Sequence, residues 1–420
     1  MDATGAGTRR AVERAARQSY GKLVAFLAAR TGDVAGAEDA LSEAFAAALA
    51  TWPNEGVPRT PEAWLLAVAK RKSIDQARRR RTRKDSDEAL LILAEERAEP
   101  DAAIPDERLR LMFVCAHPAI EEAARAPLIL QAVLGLDAAA IASAFLVSPA
   151  TMGQRLVRAK RKIRAAGIPF RLPERDALPD RLDAVLDAIY AAFAAGWSDP
   201  AGTVARTRDF AEEALWLGRL VASLRPDAAE ALGLLALMLH AEARRAARRD
   251  DAGEFVPLDA QDVSRWDGAM IDEAEAVLLR ASGMAAIGRF QLEAAVQSAH
   301  AVRRRTGRTD WQAILELYDA LLRLTGSPVV AINRAVAIGE LHGPRAALAA
   351  LDAVAGDPRL AEYQPYWAAR AGLLASAGEH AAADGAYLRA IGLESDPAVR
   401  RFLQKKRHSV TQSGGGSLPG

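Results

Sequence analysis

Cysteine and aromatic residues are scarce in this sequence. Among 420 residues there is one cysteine, Cys115, and aromatic side chains make up 5% of the chain. A single cysteine excludes an internal disulfide and any multi-cysteine zinc site, and it fits a reducing compartment. We predict that Cys115 is a small buried apolar residue.

The sequence also lacks the apolar segments of exported and membrane proteins. Its start, MDATGAGTRR, has no apolar core of a secretion signal. Its apolar runs fall short of the roughly 20 residues that span a bilayer. We therefore expect a cytoplasmic protein with no membrane partner.

Groupings of catalytic or metal-binding side chains are absent as well. The 6 histidines are scattered without paired ligand spacing, and there is no Gly-rich phosphate loop or nucleophile elbow. His117 precedes Pro118 and is interpreted as a turn residue, and the adjacent carboxylates Glu121 and Glu122 as solvated groups. We predict that the protein is not an enzyme and has no cofactor and no metal site.

Alanine, by contrast, is abundant, and 50% of the residues are apolar. This composition favours helices packed through small side chains over sheets, and 420 residues exceed one ordinary core. We predict an all-α protein with two small helical domains followed by a long helical domain. The predicted divisions are a domain at 12–84, an acidic linker at 85–105, a domain at 106–168, a helical body at 180–406 and a disordered tail at 407–420.

A repeat is visible near the end of the long helical body. Small and aromatic residues there have the spacing of a tetratricopeptide helix pair, and a similar stretch stands roughly 35 residues earlier. An Ala-rich bundle would need the same spacing for close packing, so both interpretations remain open, with stacked helix hairpins preferred. The residues are Trp367, Ala371, Leu374, Ala383, Tyr387 and Ala390, and upstream Ala335, Gly343, Ala347 and Leu351.

Positive charge is concentrated in two predicted helices, although 55 basic and 54 acidic residues nearly cancel. One of these two basic helices is the second member of a predicted helix pair. Asp137 caps the short first helix of the pair, and Ser148 caps the second, basic helix, which has Pro149 at its first position. Two short helices with a brief turn are typical of a helix-turn-helix. A buried stripe of Met152, Leu156, Ala159 and Ile163 would leave the polar and basic side chains of the second helix outward.

The other basic helix is AWLLAVAKRKSIDQARRRRTRK, residues 63–84. An apolar stripe that includes Trp64 runs along it, and nine basic residues stand against Asp75 alone. Such charge density is costly unless a polyanion neutralises it, which indicates nucleic-acid binding. Trp64 is predicted to pack in the core, and for Trp52 core packing and base stacking both remain open.

These segments resemble the extracytoplasmic-function (ECF) sigma factors of bacterial RNA polymerase, in the group with a tetratricopeptide-like C-terminal extension. AEDALSEAFAAAL and PEAWLLAVAKRKSIDQARRRR are similar to sigma region 2, and AIASAFLVSPATMGQRLVRAKRKI to region 4. QDVSRWDGAMI is similar to the extension. The resemblance implies promoter DNA and the polymerase core, through its β′ clamp and β flap, as partners. We further expect that the extension binds a regulatory protein or signal and controls the sigma domains in cis, since its helices carry mixed charge and it directly follows the domain at 106–168.

The resemblance assigns roles to individual residues. Contacts with the polymerase core would come from Asp39, Leu41, Glu43 and Phe45. The minus-ten element would lie near Arg71, Lys72, Asp75, Gln76, Arg78 and Arg79, with the loop 54–60 as the wall of a base pocket. The minus-thirty-five element would face Ser148, Thr151, Gln154, Arg155, Arg158 and Arg161. The chain departs from the group at Ala140, where a glutamate is usual, and at Gly196 and Trp197, where an Asn-Glu-Gly-Tyr turn is usual.

One alternative is a helix-turn-helix regulator that acts without polymerase and carries a sensory repeat domain. The segment DALSEAF distinguishes the two, because an acidic and apolar helix face on the DNA-binding body requires a protein partner.

Overall fold

The computed structural model describes residues 3–79, 106–145, 147–173, 178–197 and 205–414. These residues are helical, as predicted, and their extended backbone pairing is limited to one isolated bridge between Arg249 and Phe255. No helix among them is both long enough and apolar enough to cross a membrane. The N-terminal helices are α1 (Ala3–Thr31), α2 (Val34–Glu55), α3 (Pro61–Arg79), α4 (Arg108–Cys115), α5 (Glu122–Leu134), α6 (Ala138–Ala144), α7 (Pro149–Ala165) and α8 (Leu178–Trp197).

The remaining α-helices follow, and the described residues between them contain no strand. They are α9 (Ala205–Leu224), α10 (Ala229–Ala243), α11 (Gly268–Ser282), α12 (Arg289–Ala301), α13 (Arg303–Thr306), α14 (Trp311–Thr325), α15 (Pro328–His342), α16 (Pro344–Asp352), α17 (Gln364–Ser376), α18 (His380–Leu393) and α19 (Pro397–Gly414). Helix α19 differs from the predicted disordered tail, because residues 407–414 continue it. The final residues, 415–420, lie outside the described part.

The chain divides into two compact units. Residues 1–196 and 209–214 form the first, and residues 197–208 and 215–420 form the second. Both predicted N-terminal domains therefore lie in one unit, which differs from the two separate bodies expected from the sequence. The predicted linker at 85–105 lies outside the described residues. Residues 178–196 of helix α8, which the sequence assigned mostly to the long helical body, also belong to the first unit, where the Arg181 guanidinium donates to the Phe113 carbonyl.

Helices α1 to α3 form the first part of the N-terminal core. Asp33 caps α2, its carboxylate accepting from the Gly36 N–H at 3.0 Å. Leu41 and Leu65 are fully buried, and Trp52 is 2% exposed. The ring of Trp52 meets that of Trp64 edge to face at 5.5 Å between centroids. Of the two roles left open for Trp52, the structure shows core packing, on helix α2.

Helices α4 to α7 form the second part of the N-terminal core. Helices α6 and α7 each begin directly after a capping residue that the sequence predicted. The Asp137 carboxylate accepts from the Ala140 N–H at 2.7 Å, and the Ser148 hydroxyl accepts from the Thr151 N–H at 3.1 Å. Both predicted caps are confirmed. The predicted buried stripe of α7 is confirmed as well, comprising Met152, Leu156, Ala159 and Ile163. Cys115 is fully buried, and burial raises the pKa of its thiol.

In the second unit, a carboxylate at the start of α10 holds the N-terminus of α12. Glu230 accepts from the Phe290 N–H at 2.8 Å and from the Gln291 N–H at 3.1 Å. A β-carbon at Gly288 would lie 2.2 Å from the Glu230 side chain, so only glycine leaves room there. The carboxylate satisfies orphan donors of the helix and complements its dipole.

The segment QDVSRWD forms a second packing point in this unit. Trp266 is 5% exposed, and its indole N–H donates to the Gln261 amide oxygen at 3.2 Å. Arg303 lies over the Trp266 ring and donates to the carbonyls of Asp259 and Gln261. These bonds fix an irregular loop against the helices.

The residues of the predicted repeat lie together near the end of the chain. Ala371, Leu374, Ala383, Tyr387 and Ala390 share one apolar cluster between α17, α18 and α19. Trp367 packs against the same cluster. This packing fits a helix pair, and the assignment to tetratricopeptide repeats stays a prediction.

Candidate nucleic-acid interface

The outward face of α7 is polar and basic. Ser148, Thr151, Gln154, Arg158 and Arg161 are all exposed. The Ser148 and Thr151 hydroxyls lie 2.7 Å apart and bond each other at the start of the helix. Residues near the start of such a helix can reach base edges in a major groove, while later arginines reach phosphates. The face therefore has the composition that DNA reading requires.

Arg155 differs from the other predicted contacts of α7. Its side chain is partly buried, and its guanidinium donates to the Ala123 carbonyl at 3.4 Å. The bond joins α7 to the start of α5. Arg155 thus supports the angle between the two helices in this structure.

The basic side of α3 adjoins α2. Arg71 and Asp75 are exposed, and the Arg71 Nε donates to the Ala67 carbonyl at 3.4 Å. The Lys72 ammonium lies 3.0 Å from the Glu43 carboxylate. Gln76, Arg78 and Arg79 belong to the same helix, but their side chains lie outside the described residues.

Lys70 lies on the other side of α3 from these exposed groups. It is 8% exposed, and its ammonium lies 5.3 Å from the centre of the Phe26 ring. Cation–π attraction partly compensates a cation for lost hydration. Lys70 is one of the nine basic residues that indicated nucleic-acid binding, but in the structure its ammonium contacts the Phe26 ring inside the protein.

The predicted polymerase-binding residues on α2 separate into an outer and an inner group. Asp39 and Glu43 are exposed, and Phe45 is partly buried. Leu41 is fully buried, so its side chain supports the helix from inside and is not presented to a partner. Of the four predicted residues, α2 therefore exposes the two acids, Asp39 and Glu43, and part of Phe45.

Truncating Leu41 should destabilise the first unit strongly. Leu41→Ala removes a fully buried side chain and leaves a cavity, so we expect a loss of about 2–5 kcal/mol in unfolding free energy. Hydrogen exchange of the α1 to α3 amides measures this loss locally. Leu49→Ala is the matched control on the same helix, since Leu49 is 46% exposed and should change stability by under ~0.5 kcal/mol. Equal protection in the two variants would contradict the placement of Leu41.

An ion pair between α2 and α7 was missed from the sequence. The Lys160 ammonium bonds the Glu38 carboxylate, and the two side chains are 13% and 11% exposed. Burial raises the pKa of Glu38, while the Lys160 charge and hydrogen bond act to lower it. The Arg164 guanidinium lies 3.7 Å from the Asp33 carboxylate beside this pair.

One signal in the sequence could have identified Glu38. Val34, Glu38 and Leu41 stand at i, i+4 and i+7, so the carboxylate falls on the buried stripe of α2. A carboxylate at a core position indicates a buried cationic partner, because an unpaired buried charge is very costly. The sequence does not reveal which of the many basic residues it is.

Groups of histidine, cysteine and carboxylate side chains that could hold a metal ion are absent from the described residues. His117 accepts from the Ala119 N–H at 3.0 Å, which confirms it as a bonded turn residue. Burial, aided by Arg181 and Arg125, lowers its pKa.

Comparison with known proteins gives two family matches. Residues 15–83 match sigma-70 region 2, and residues 181–282 match a family of unknown function (DUF6596). The uncharacterized protein R00370 of Rhizobium meliloti (strain 1021) is 40% identical over 375 residues, which cover 88% of each chain. No solved structure matches the chain.

Proposed function

Because the chain belongs to the same family as the R00370 protein and contains a sigma-70 region 2 domain, we propose that it is a promoter-specificity subunit of bacterial RNA polymerase of the ECF type. Region 2 suggests a sigma factor, with core polymerase and promoter DNA as its partners. The observation that carries the proposal is the overlap of this match with α2 and α3. These helices present exposed acids and exposed bases on adjoining faces.

The division of roles follows from charge. Asp39 and Glu43 on α2 offer a negative face to the polymerase core, and the basic side of α3 lies beside melted minus-ten DNA. The α6–α7 pair reads the minus-thirty-five element with Gln154, Arg158 and Arg161. Like Asp39 and Glu43, these side chains are exposed on the protein surface, where a partner can reach them.

Co-purification of core polymerase with the full chain tests the proposal against a polymerase-independent regulator. A sigma factor retains stoichiometric core polymerase from purified subunits and needs it for tight promoter binding. A stand-alone regulator binds its DNA site equally well with and without core polymerase. Promoter affinity that is unchanged by core polymerase would reject the proposal.

For the extension, we propose regulation of the sigma domains in cis by tetratricopeptide-like helices. The apolar cluster at the predicted repeat positions supports a packed repeat unit of this kind. Deleting residues 215–420 tests the role while keeping α8, whose Leu186 and Ile189 are buried in the first unit. Transcription rises if the extension masks the sigma domains and falls if it adds required contacts; unchanged transcription would reject regulation in cis.

A further inference from the structure

One arginine of the second unit is buried among neutral groups. Arg244, which directly follows α10, is 9% exposed. Its Nε donates to the His240 carbonyl at 3.3 Å, and its Nη2 donates to the Gln297 amide oxygen on α12. Its Nη1 is shielded from solvent and bonds no atom of the described residues. The hydrogen-bond acceptors of this guanidinium are therefore all uncharged.

The arginines that follow Arg244 in the segment RRAARR are placed differently. Arg245 bonds the Glu242 carboxylate at 2.7 Å, and Arg249 bonds the Asp396 carboxylate. Buried charges in proteins are as a rule paired with an opposite charge, because removing an unpaired charge from water is very costly. The chain thus supplies acids to the neighbours of Arg244, while Arg244 itself has a positive charge without a counter-charge.

A second guanidinium lies at the same tryptophan ring. The guanidinium carbon of Arg303 is 5.1 Å from the centre of the Trp266 ring, and that of Arg244 is 5.9 Å from it. Within the described residues, Arg303 donates to the backbone carbonyls of Asp259 and Gln261, which are neutral. Cation–π attraction offsets part of the lost hydration of each cation, but it does not reduce the repulsion between them.

Two histidines lie beside these cations. His240 is 1% exposed, and both of its ring nitrogens lack a hydrogen-bond partner among the described residues. The Glu275 carboxylate is 3.6 Å from its Nε2, which is beyond hydrogen-bond distance. Burial and the charge of Arg244 lower the pKa of His240 to about 4. Burial, Arg244 and Arg303 lower the pKa of His300 to about 4 as well, so both rings are neutral at pH 7 in a positive field.

We propose that Arg244, Arg303, His240 and His300 form a binding site for a small oxyanion, the phosphate or carboxylate group of a dissociable ligand. The Nη1 of Arg244 and a ring N–H of His240 donate to its oxygens, and Arg303 supplies a second positive charge. Hydrogen bonds from a guanidinium to an oxyanion are charge-assisted and strong. His300 and Arg303 are partly exposed, which gives the ligand access from the side of α12 and α13. The site belongs to the second unit and does not depend on the proposed sigma function.

Binding of inorganic phosphate, sulfate and acetate to the full chain tests the site. Titration calorimetry in Tris chloride buffer at constant ionic strength should show one saturable site per chain for at least one of these anions. Phosphate or sulfate binding at least ~10-fold tighter than acetate identifies a phosphorylated ligand, and the reverse order identifies a carboxylate. Absence of saturable binding for all three anions overturns the proposal.

Three variants locate the binding. Arg244→Met removes the buried charge and should lower the anion affinity at least ~10-fold, the worth of one charge-assisted hydrogen bond. Arg303→Gln should weaken binding through the second charge, and it keeps the test decisive where Arg244→Met misfolds. Arg305→Gln removes an exposed charge of α13 and should leave the affinity within about twofold, because exposed charges are screened. Equal affinity in all three variants overturns the proposal.

Thermal unfolding separates a binding site from an arginine that only supports the fold. A ligand that binds the folded chain stabilises it, so the anion that binds, at about 100 times its Kd, should raise the unfolding midpoint of the parent chain by several degrees. The midpoint of Arg244→Met should not respond to the anion, and that of Arg305→Gln should rise as in the parent. A midpoint difference between parent and Arg244→Met that is the same with and without the anion assigns Arg244 to the fold alone and overturns the proposal.

Discussion

Reversing two acids on α2 should strongly weaken the binding of core polymerase. Asp39→Lys with Glu43→Lys replaces two exposed carboxylates by two cations on the face proposed to meet the polymerase. Like charges placed across an interface cost several kcal/mol, so we expect an affinity at least ~100-fold lower. Fluorescence titration of labelled chain with purified core polymerase measures the change.

The matched control places the same charge change elsewhere on the first unit. Glu121→Lys with Glu122→Lys also converts two exposed acids to lysines, at the start of α5. The loss of the exposed Lys72–Glu43 pair should change stability by at most ~1 kcal/mol, so unfolding does not explain lost binding. Equal affinity of the α2 variant and the control would show that α2 does not contact polymerase.

Neutralising the outward arginines of α7 should weaken promoter binding in a salt-dependent way. Arg158→Ala with Arg161→Ala removes two exposed cations from the proposed phosphate-contacting part of the helix. Each lost phosphate contact lowers the slope of log affinity against log salt by ~0.9, so the slope should fall by ~1.8 and affinity by about 10- to 100-fold. Titrations of holoenzyme with promoter DNA at several salt concentrations give both values.

Gln154 should act differently from the arginines on the same face. Glutamine is uncharged and can pair with a base edge, so Gln154→Ala should relax discrimination at one base pair by about 10- to 100-fold and leave the salt slope unchanged.

The double arginine variant of α7 has a charge-matched control. Arg280→Ala with Arg323→Ala removes two exposed arginines from the second unit instead. An unchanged slope in the α7 double arginine variant would remove this helix from the DNA interface.

Local structure in this protein follows closely from local sequence. The caps at Asp137 and Ser148 form as predicted because a short side chain reaches backbone donors only three residues away. The buried stripe of α7 follows from helical periodicity in the same way. Exposure of Gln154, Arg158 and Arg161 is the other side of that stripe, so this part of the candidate site was accessible to sequence reasoning.

Contacts between distant segments were not accessible in the same way. The approach of α5 to α1 depends on one missing β-carbon, at Gly21, and a lone glycine in a helix gives no sign of what approaches it. Leu41 and Glu38 show the same limit at the site. The resemblance predicts that Leu41 contacts a partner, but its side chain is buried in the core. Lys160 is one of the basic residues of α7, but its side chain is largely buried and pairs with Glu38.

The most direct measurement is run-off transcription from a random promoter library with reconstituted core polymerase, with and without the full chain. We predict transcripts that start at defined positions and depend on the chain, from templates that share two elements, one upstream and one at the melted region. They should disappear with the α2 double charge reversal and persist with its control. Transcription that is independent of the chain, or chain-dependent transcription that starts without any shared element, would contradict the account.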